Sequence, residues 1–174
     1  RAAFLLHDVF GMPFEDAAAS IERDTAATRQ LAARARQHVH EARPRFAVDR
    51  ARGLAMAEAF HDAVETGDVS VLQAMLAHDV VFTSDGGGKR PAGPRPLVGA
   101  EIVLQFLQNL TRLLAKNPSQ FVRYGMINGL PGYVTLEADG ELQTTALEIG
   151  DGGITAIYVM RNPDKLRHLE GTMH

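Results

Sequence analysis

The first 42 residues place apolar side chains at a helical period. An apolar segment from Ala2 to Phe10 precedes Gly11, a residue suited to ending a helix. Asp24 follows a short polar turn, and its carboxylate can cap the first turn of another helix. The helix between them has apolar residues on one face: Phe14, Ala17, Ala18 and Ile21. This pattern predicts three short helices joined by tight turns.

The third predicted helix carries arginine outside its apolar face. Its inner face is expected to consist of Ala27, Leu31 and Ala35. A short helix, a tight turn and an arginine-bearing helix form the outline of a helix-turn-helix, whose second helix enters the major groove of DNA. The candidate DNA-binding residues are Thr25, Thr28, Arg29, Gln30, Arg34 and Arg36.

From Arg50 onward the pattern changes to helices followed by strands. Residues 43–49 contain Pro44 and are predicted to form a linker. One helix is expected to end at Gly67, and a second, short helix is expected at Val71–Leu76. A strand at Val80–Ser84 follows, and then a long amphipathic helix at Val98–Leu114. The buried stripe of that helix is predicted as Ile102, Phe106, Leu110 and Leu113. Further strands are expected near Phe121–Asn128, Gly132–Ala138, Glu141–Ile149 and Ile154–Arg161.

The connections between these last strands favour tight hairpins. They contain the dipeptides Asn128-Gly129, Asp139-Gly140 and Asp151-Gly152, which suit turns with two positive φ angles. Hairpins join antiparallel strands, so the sheet is predicted to be antiparallel and strongly curved around the helices. The predicted fold is α+β: a small all-α helix-turn-helix module over residues 1–42, a linker over 43–49, and an α+β cone over 50–174.

Composition narrows the function classes further. Hydrophobic residues make up 45% and charged residues 22% of the 174 residues, which is typical of a globular protein. The chain has no cysteine, so disulfides and thiolate metal sites are excluded and a reducing cytoplasm is expected. No apolar run approaches the roughly 20 residues of a membrane helix, so no membrane partner is expected. The start at Arg1, without Met, indicates that an N-terminal part is missing.

Charge is distributed unevenly along the chain. The net charge is −3, but the segment from Arg29 to Arg45 has five arginines and one acidic residue. Such a cluster favours an anionic partner at this place, although a solvated helix face explains the charge alone equally well. The glycine-rich segment Asp85–Pro96 invites a phosphate-binding reading. That reading fails because Arg90, rather than Ser or Thr, follows Lys89.

The second module has candidate bases but no acid/base pair that the sequence makes visible. The candidate bases are His61, Asp62, His78 and Asp85. The histidines of the chain, which include His38 and His40, lack the spacing of a metal site. We interpret them as surface or linker residues. We therefore predict no catalytic residue, no metal and no cofactor. An interior lined by aromatic residues is either a filled core, which we favour, or a pocket for an unidentified small ligand: Phe60, Phe82, Phe106, Tyr124 and Tyr158.

Two short motifs and the helical segment resemble a known family. Residues 1–39 resemble region 4 of extracytoplasmic-function RNA polymerase sigma factors, and the remainder resembles the SnoaL-like branch of the nuclear-transport-factor-2-like cone fold. Their fusion resembles the SigJ type of sigma factor. The motifs that carry this resemblance are DGGGK (Asp85, Gly86, Gly87, Gly88, Lys89) and NPDKL (Asn162, Pro163, Asp164, Lys165, Leu166).

The resemblance implies a function in transcription. Region 4 of such a factor reads the promoter −35 element and binds the RNA polymerase core, together with a region 2 that precedes it. The cone is then expected to regulate the factor in cis through the two motifs, and opposite charges at Asp85, Lys89, Asp164 and Lys165 permit pairing between them. The alternative left open is a SnoaL-like isomerase, cyclase or ligand-binding domain with a helical appendage, which the arginine face disfavours.

Overall fold

The chain divides into two compact units, Arg1–Arg45 and Phe46–His174. The structure, a computed structural model, describes residues 2–41 and 49–170. The predicted linker, residues 43–49, lies outside the described residues except for its last position. Each unit is taken by itself below.

The first unit consists of three helical segments. α1 is an α-helix over Ala2–Phe4 that continues as a π-helix over Leu5–Val9. α2 spans Phe14–Ser20 and α3 spans Thr25–Glu41. The backbone N–H of Ala27 donates to Asp24 Oδ1 over 2.7 Å, so the predicted cap of α3 is present. The three predicted helices are confirmed, whereas the π-helical turns of α1 were not predicted.

Small side chains form the interior of the first unit. Its buried residues are Ala3, Ala17, Ala18, Thr28 and Ala32. The predicted inner face of α3 is wrong by one position, because Thr28 and Ala32 are fully buried while Leu31 is 37% exposed. Thr28 can be buried because its hydroxyl donates to the backbone oxygen of Asp24 over 2.9 Å. Small residues at these positions let α1 and α2 lie close to α3.

The second unit contains four helices and six strands within the described residues. The helices are α4 (Arg50–Thr66), α5 (Val69–Met75), α6 (Ala100–Leu114) and α7 (Pro163–Glu170). The strands are β1 (Leu76–Asp85), β2 (Leu97–Val98), β3 (Gln120–Ile127), β4 (Leu130–Leu136), β5 (Leu142–Gly150) and β6 (Gly153–Met160). The α+β class is confirmed, and the predicted elements occur with shifted ends.

The six strands form one mixed sheet in the order β2-β1-β6-β5-β4-β3. The strands from β3 to β6 form an antiparallel meander, as the hairpin dipeptides predict. β1 and β6 are parallel, however, so the prediction of a purely antiparallel sheet is wrong. Turn dipeptides specify only neighbouring strands, and the long connection from β1 to β6 left their pairing open. Register shifts in three strand pairs mark bulges where the sheet bends.

The hairpin turns differ from one another in backbone geometry. Asn128 and Gly129 have φ of 51° and 83°, so this turn has the two predicted positive angles. In the Asp139-Gly140 turn only Gly140 has a positive φ angle. In the turn after Asp151 the residue with a positive φ angle is Gly153. Only the first of the three turns therefore has the geometry that the dipeptides predict.

The main core lies between one face of the sheet and the helices α4, α5 and α6. Its largest fully buried side chains are Phe60, Leu72, Leu107, Leu147, Ile154 and Ile157. The predicted stripe of α6 is half correct: Phe106 and Leu110 pack against this core, but Ile102 and Leu113 are more than half exposed. Val103 and Leu107 are buried in their place, because α6 contacts α4 as well as β1 and its inner face is turned accordingly.

A second, smaller core lies around the C-terminal helix. Val134, Leu142 and Leu166 are buried there, with Met160 packed against them. Met160 of β6 and Leu166 of α7 thus belong to the same small core. Tyr158 on β6 remains 42% exposed.

Candidate functional site

The two sequence motifs meet at one edge of the sheet. β1 ends at Asp85 and β6 ends at Met160, and the two strands are parallel neighbours, so their carboxyl ends lie side by side. The backbone N–H of Arg161 donates to the backbone oxygen of Asp85 over 2.7 Å. DGGGK follows one strand and NPDKL follows the other. We call the contact between Asp85–Lys89 and Asn162–Leu166 the two-motif contact.

Two ion pairs connect the motifs. Lys89 Nζ lies 2.6 Å from Asp164 Oδ2, and Lys165 Nζ lies 2.7 Å from Asp85 Oδ2. The predicted pairing between the motifs is confirmed, with each motif supplying one acid and one base. All four side chains are more than a third exposed, so these pairs are screened by solvent.

The pairing lowers the pKa of both carboxyl groups. Lys165 donates to Asp85 and holds the pKa of that carboxyl below its ordinary value of 3.8, assisted by the N–H of Gly87. Lys89 likewise lowers the pKa of Asp164, which also accepts a hydrogen bond from Arg167. Both carboxylates are therefore ionised at neutral pH and keep the two-motif contact charged.

Close packing joins the motifs at Gly87 and Asn162. Gly87 has a φ of 62°, and a Cβ there would overlap the Asn162 side-chain amide. Asn162 is buried, and its Oδ1 accepts a hydrogen bond from the N–H of Asp164 over 3.1 Å, at the start of α7. Leu166 is buried in the smaller core. The absence of a side chain at Gly87 thus permits the close packing of the two motifs.

A cavity of about 550 Å³ lies inside the second unit. Phe60, Phe82 and Phe106 line it, as predicted, and the preference for a filled interior is wrong. Tyr124 lies outside the cavity lining and contacts His61, and Tyr158 is on the outer side of the sheet, where its hydroxyl donates to Glu148 over 2.9 Å. The cavity is lined by residues of α4 and α6 and by residues of β4, β5 and β6.

Of the four candidate bases, His61 alone lies in the cavity lining. Its Nδ1 is 3.0 Å from the Tyr124 hydroxyl, and its Nε2 is 4.0 Å from Glu65 Oε1. Burial lowers the pKa of His61 from its ordinary value of 6.5 and outweighs the opposite effect of Glu65. The surface or linker role expected for His61 is wrong, because the side chain is buried. His78 is exposed, and Asp85 belongs to the two-motif contact.

Two arginines beside the motifs also reach the cavity lining. The Arg90 side chain is only 7% exposed, and its Nη2 lies 2.6 Å from Asp139 Oδ2. Arg161 donates from Nη1 to the backbone oxygen of Pro91 over 2.8 Å. Arg90 Nε, Arg90 Nη1 and Arg161 Nε are inaccessible to solvent and have no hydrogen-bond partner among the described residues.

Sequence reasoning missed Glu65, Arg90 and Arg161, although signals for them existed. Glu65 follows His61 by four residues on one helix, a spacing that places side chains on the same face. Arg161 continues the alternation from Ile157 and Val159, which point into the same cavity. No comparable period marks Arg90, which follows the glycine loop.

The arginine face of α3 is exposed and partly paired within its own unit. Arg29 Nη2 lies 3.2 Å from Glu15 Oε1, and Arg36 Nε lies 2.6 Å from Asp8 Oδ1. Gln30 and Arg34 are exposed as well, and Thr25 is half-buried. Thr28 is fully buried, so its inclusion among DNA-contacting residues is wrong. Its hydroxyl satisfies the helix backbone and does not face solvent.

The described ranges 2–41 and 49–170 contain neither a cluster of metal-binding side chains nor a helix that could span a membrane. No group of three or more His, Asp or Glu side chains there is arranged to hold a metal ion. No helix there is long and apolar enough to cross a membrane.

The sequence and the structure of the chain are similar to those of known proteins. No family model matches the chain. The chain is 32% identical over 179 residues to the ECF RNA polymerase sigma factor SigJ of Mycobacterium tuberculosis, with 95% of this chain and 55% of that protein covered. The crystal structure of SigJ superposes with a TM-score of 0.64 at 30% identity, over 95% of this chain and 59% of the other. The chain is similar to a SigJ-type extracytoplasmic-function sigma factor over nearly its whole length.

This relationship covers only part of the homologous proteins. The chain spans just over half the length of the curated relatives it matches. A SnoaL-like protein of Burkholderia thailandensis has the fold of the second unit, with a TM-score of 0.51 at 16% identity over 64% of this chain and 96% of that one. The similarity to SigJ extends over both units of this chain. The similarity to the SnoaL-like protein shows only that the second unit has the same fold.

Proposed function

We propose that this chain is the promoter-reading and regulatory part of a SigJ-type sigma factor. In this proposal residues 1–42 act as region 4, which binds the promoter −35 element and the RNA polymerase core. Residues 50–174 regulate that activity in cis, in the cytoplasm, and a region 2 of the same protein completes the factor. The observation that carries the proposal is the 32% identity to SigJ over 95% of this chain.

The exposed face of α3 supports DNA binding. It carries Arg29, Gln30, Arg34 and Arg36 on a helix whose inner side packs through Thr28 and Ala32. The ion pairs of Arg29 and Arg36 are largely exposed, so they are weak and can exchange for phosphate contacts. Small residues inside and arginines outside suit a helix that docks in a groove.

The test is footprinting of a −35 element by the full-length factor bound to RNA polymerase. Arg29→Ala and Arg34→Ala are expected to weaken −35 binding by about 1–3 kcal/mol each where they reach a base, and by less where they reach only phosphate. Arg52→Ala, at an exposed arginine of α4, is the matched control and should leave binding unchanged. Unaltered −35 protection in the double variant Arg29→Ala/Arg34→Ala would contradict the proposal.

The cone is proposed to be catalytically silent, but one observation favours the isomerase or cyclase alternative. His61 lies in the cavity with a lowered pKa, so it is neutral and able to accept a proton at neutral pH. The expected result is no turnover of ketosteroid or polyketide-like substrates by the whole chain. Turnover that His61→Ala abolishes, with the melting temperature unchanged, would establish the enzyme in place of a silent domain.

A further inference from the structure

We propose that the cavity of the second unit binds an amphipathic organic anion, with Arg90 and Arg161 holding its charged group. The ligand class is a carboxylate or sulfonate attached to an apolar body of one to three rings. This inference does not rest on the sigma-factor proposal, because it follows from the cavity and its arginines alone.

The cationic end of the cavity has donors that the protein leaves unused. Arg90 Nε, Arg90 Nη1 and Arg161 Nε are buried and unpaired among the described residues. A buried donor without an acceptor costs about 1–3 kcal/mol, more when it is charged, so such groups normally have partners. Arg90 and Arg161 both line the cavity, and Arg161 donates to the backbone oxygen of Pro91, the residue after Arg90. An anionic oxygen in this region would supply the missing acceptors.

The acidic residues of the cavity lining do not supply acceptors for these three nitrogens. Asp139 forms an ion pair with Arg90 through Nη2 only, and the Asp139 side chain is exposed. Glu137 accepts a hydrogen bond from the Thr135 hydroxyl over 2.9 Å. Glu65 lies beside His61 and Ser119. Each carboxylate thus has another contact. The three guanidinium nitrogens are covered in this structure, and they reach a ligand when the two arginine side chains turn toward the cavity that they line.

The rest of the cavity is suited to an apolar body. Phe82 and Phe106 lie with their ring centroids 4.7 Å apart, and Leu110, Leu114 and Phe60 complete this side. A volume of about 550 Å³ falls within the usual range for small-molecule pockets. A molecule with one acidic group and one hydrophobic portion therefore matches both ends.

The anion site is covalently adjacent to both motifs. Arg90 follows Lys89 directly, and Arg161 precedes Asn162. A ligand that holds both arginines would also hold the chain segments that carry the ion pairs Lys89–Asp164 and Lys165–Asp85. Occupation of the cavity is therefore expected to stabilise the two-motif contact.

The test compares two dyes with a similar aromatic body and different charge. The whole chain is titrated with 8-anilinonaphthalene-1-sulfonate, an anion, and with N-phenyl-1-naphthylamine, which is uncharged. We expect saturable binding of both dyes, tighter for the anion. Arg90→Met and Arg161→Met should each weaken binding of the anion about tenfold or more and change binding of the neutral dye less than about twofold.

Controls separate the site from general effects. Arg95→Met removes an exposed arginine outside the cavity lining and should change neither affinity, whereas Leu110→Trp should fill the cavity and weaken both. If Arg90→Met does not melt cooperatively, Arg161→Met decides. Equal affinity of the arginine variants and the parent chain for the anion would overturn the proposal, as would an equal loss for both dyes. No DNA or polymerase enters this test, so its outcome is independent of the sigma-factor proposal.

Discussion

The two units bury different kinds of side chain. The interior of the first unit consists of four alanines and Thr28 within the described residues. The interior of the second unit has phenylalanine, leucine and isoleucine side chains that are fully buried. Hydrophobic stabilisation scales with apolar area removed from water, so the second unit has much the larger driving force for folding. The two units therefore differ in how much of their stability comes from hydrophobic burial.

The arginines of the two units differ in the same way. Arg29 and Arg36 are exposed and paired with acids on the surface of the first unit. Arg90 is buried in the second unit with two nitrogens unpaired. Exposed pairs are weak and exchange easily for phosphates, whereas a buried guanidinium strongly favours an anion that enters its site. A surface arginine and a buried arginine are thus suited to different kinds of partner.

The largest expected loss of unfolding free energy is for a substitution in the core of the second unit. Leu147 is fully buried, so Leu147→Ala should cost about 2–5 kcal/mol of unfolding free energy. Ala32→Gly in the first unit should cost only about 1 kcal/mol, since it removes one methyl group and adds backbone freedom. All three tyrosines lie in the second unit, so tyrosine fluorescence during urea unfolding reports that unit alone. An equal shift of the tyrosine transition in both variants would contradict this contrast.

The next effect concerns two neighbouring glycines. Gly87 and Gly88 have φ of 62° and 70°, but a Cβ at Gly87 would overlap Asn162, while space is open at Gly88. Gly88→Ala should cost about 1–2 kcal/mol through backbone strain alone. Gly87→Ala should cost more, because the Asn162 amide must also move. Urea unfolding of the two variants measures this difference, and a smaller loss for Gly87→Ala would show that the motifs do not pack as described.

The pH dependence of stability tests the burial of His61. Its pKa is lowered in the folded protein, so between that pKa and 6.5 the unfolded chain binds more protons than the folded chain. Stability should therefore rise with pH in this window, by at most about 1.4 kcal/mol per pH unit, and become level above 6.5. His61→Gln should remove this part of the slope. A slope that is unchanged in the variant would mean that other groups cause it.

The smallest effect on stability is expected at the exposed ion pairs. Asp85→Asn and Asp164→Asn should hardly change the melting temperature at pH 7. The pKa values of Asp85 and Asp164 are lowered by their partners, so the contribution of each pair is present above pH 3.8 and is lost as pH falls below that value. The reversed pair Lys89→Glu/Asp164→Lys is the control that keeps an ion pair.

These ion-pair variants also test regulation. In the full-length factor proposed above, we expect Asp85→Asn and Asp164→Asn each to change promoter output. The reversed pair Lys89→Glu/Asp164→Lys should change it less than Asp164→Asn does. If output changes only in proportion to the melting temperature, the two-motif contact is structural and has no regulatory role.

How far the sequence predicts the site depends on the range of the signal. Charge signs alone predict that Lys89 and Asp164 pair, because two short motifs offer few combinations. The helix-turn-helix outline follows from local capping and periodicity, but Thr28 was assigned to the wrong side because its hydroxyl is satisfied by the backbone. The parallel pairing of β1 with β6 has no local signal, and the cavity depends on it. The roles of Arg90 and Arg161 therefore emerge only in three dimensions.

The parallel pairing of β1 and β6 also sets an order of events during synthesis. The ion pairs of the two-motif contact join residues 75 and 80 positions apart, and the second motif follows the last strand of the sheet. A growing chain exposes DGGGK long before NPDKL has been made, so the first motif waits unpaired while β3, β4 and β5 are added. The helical unit precedes both motifs and can fold earlier, from local contacts. A nascent chain therefore passes through a period in which the helical unit is formed and the two-motif contact is not.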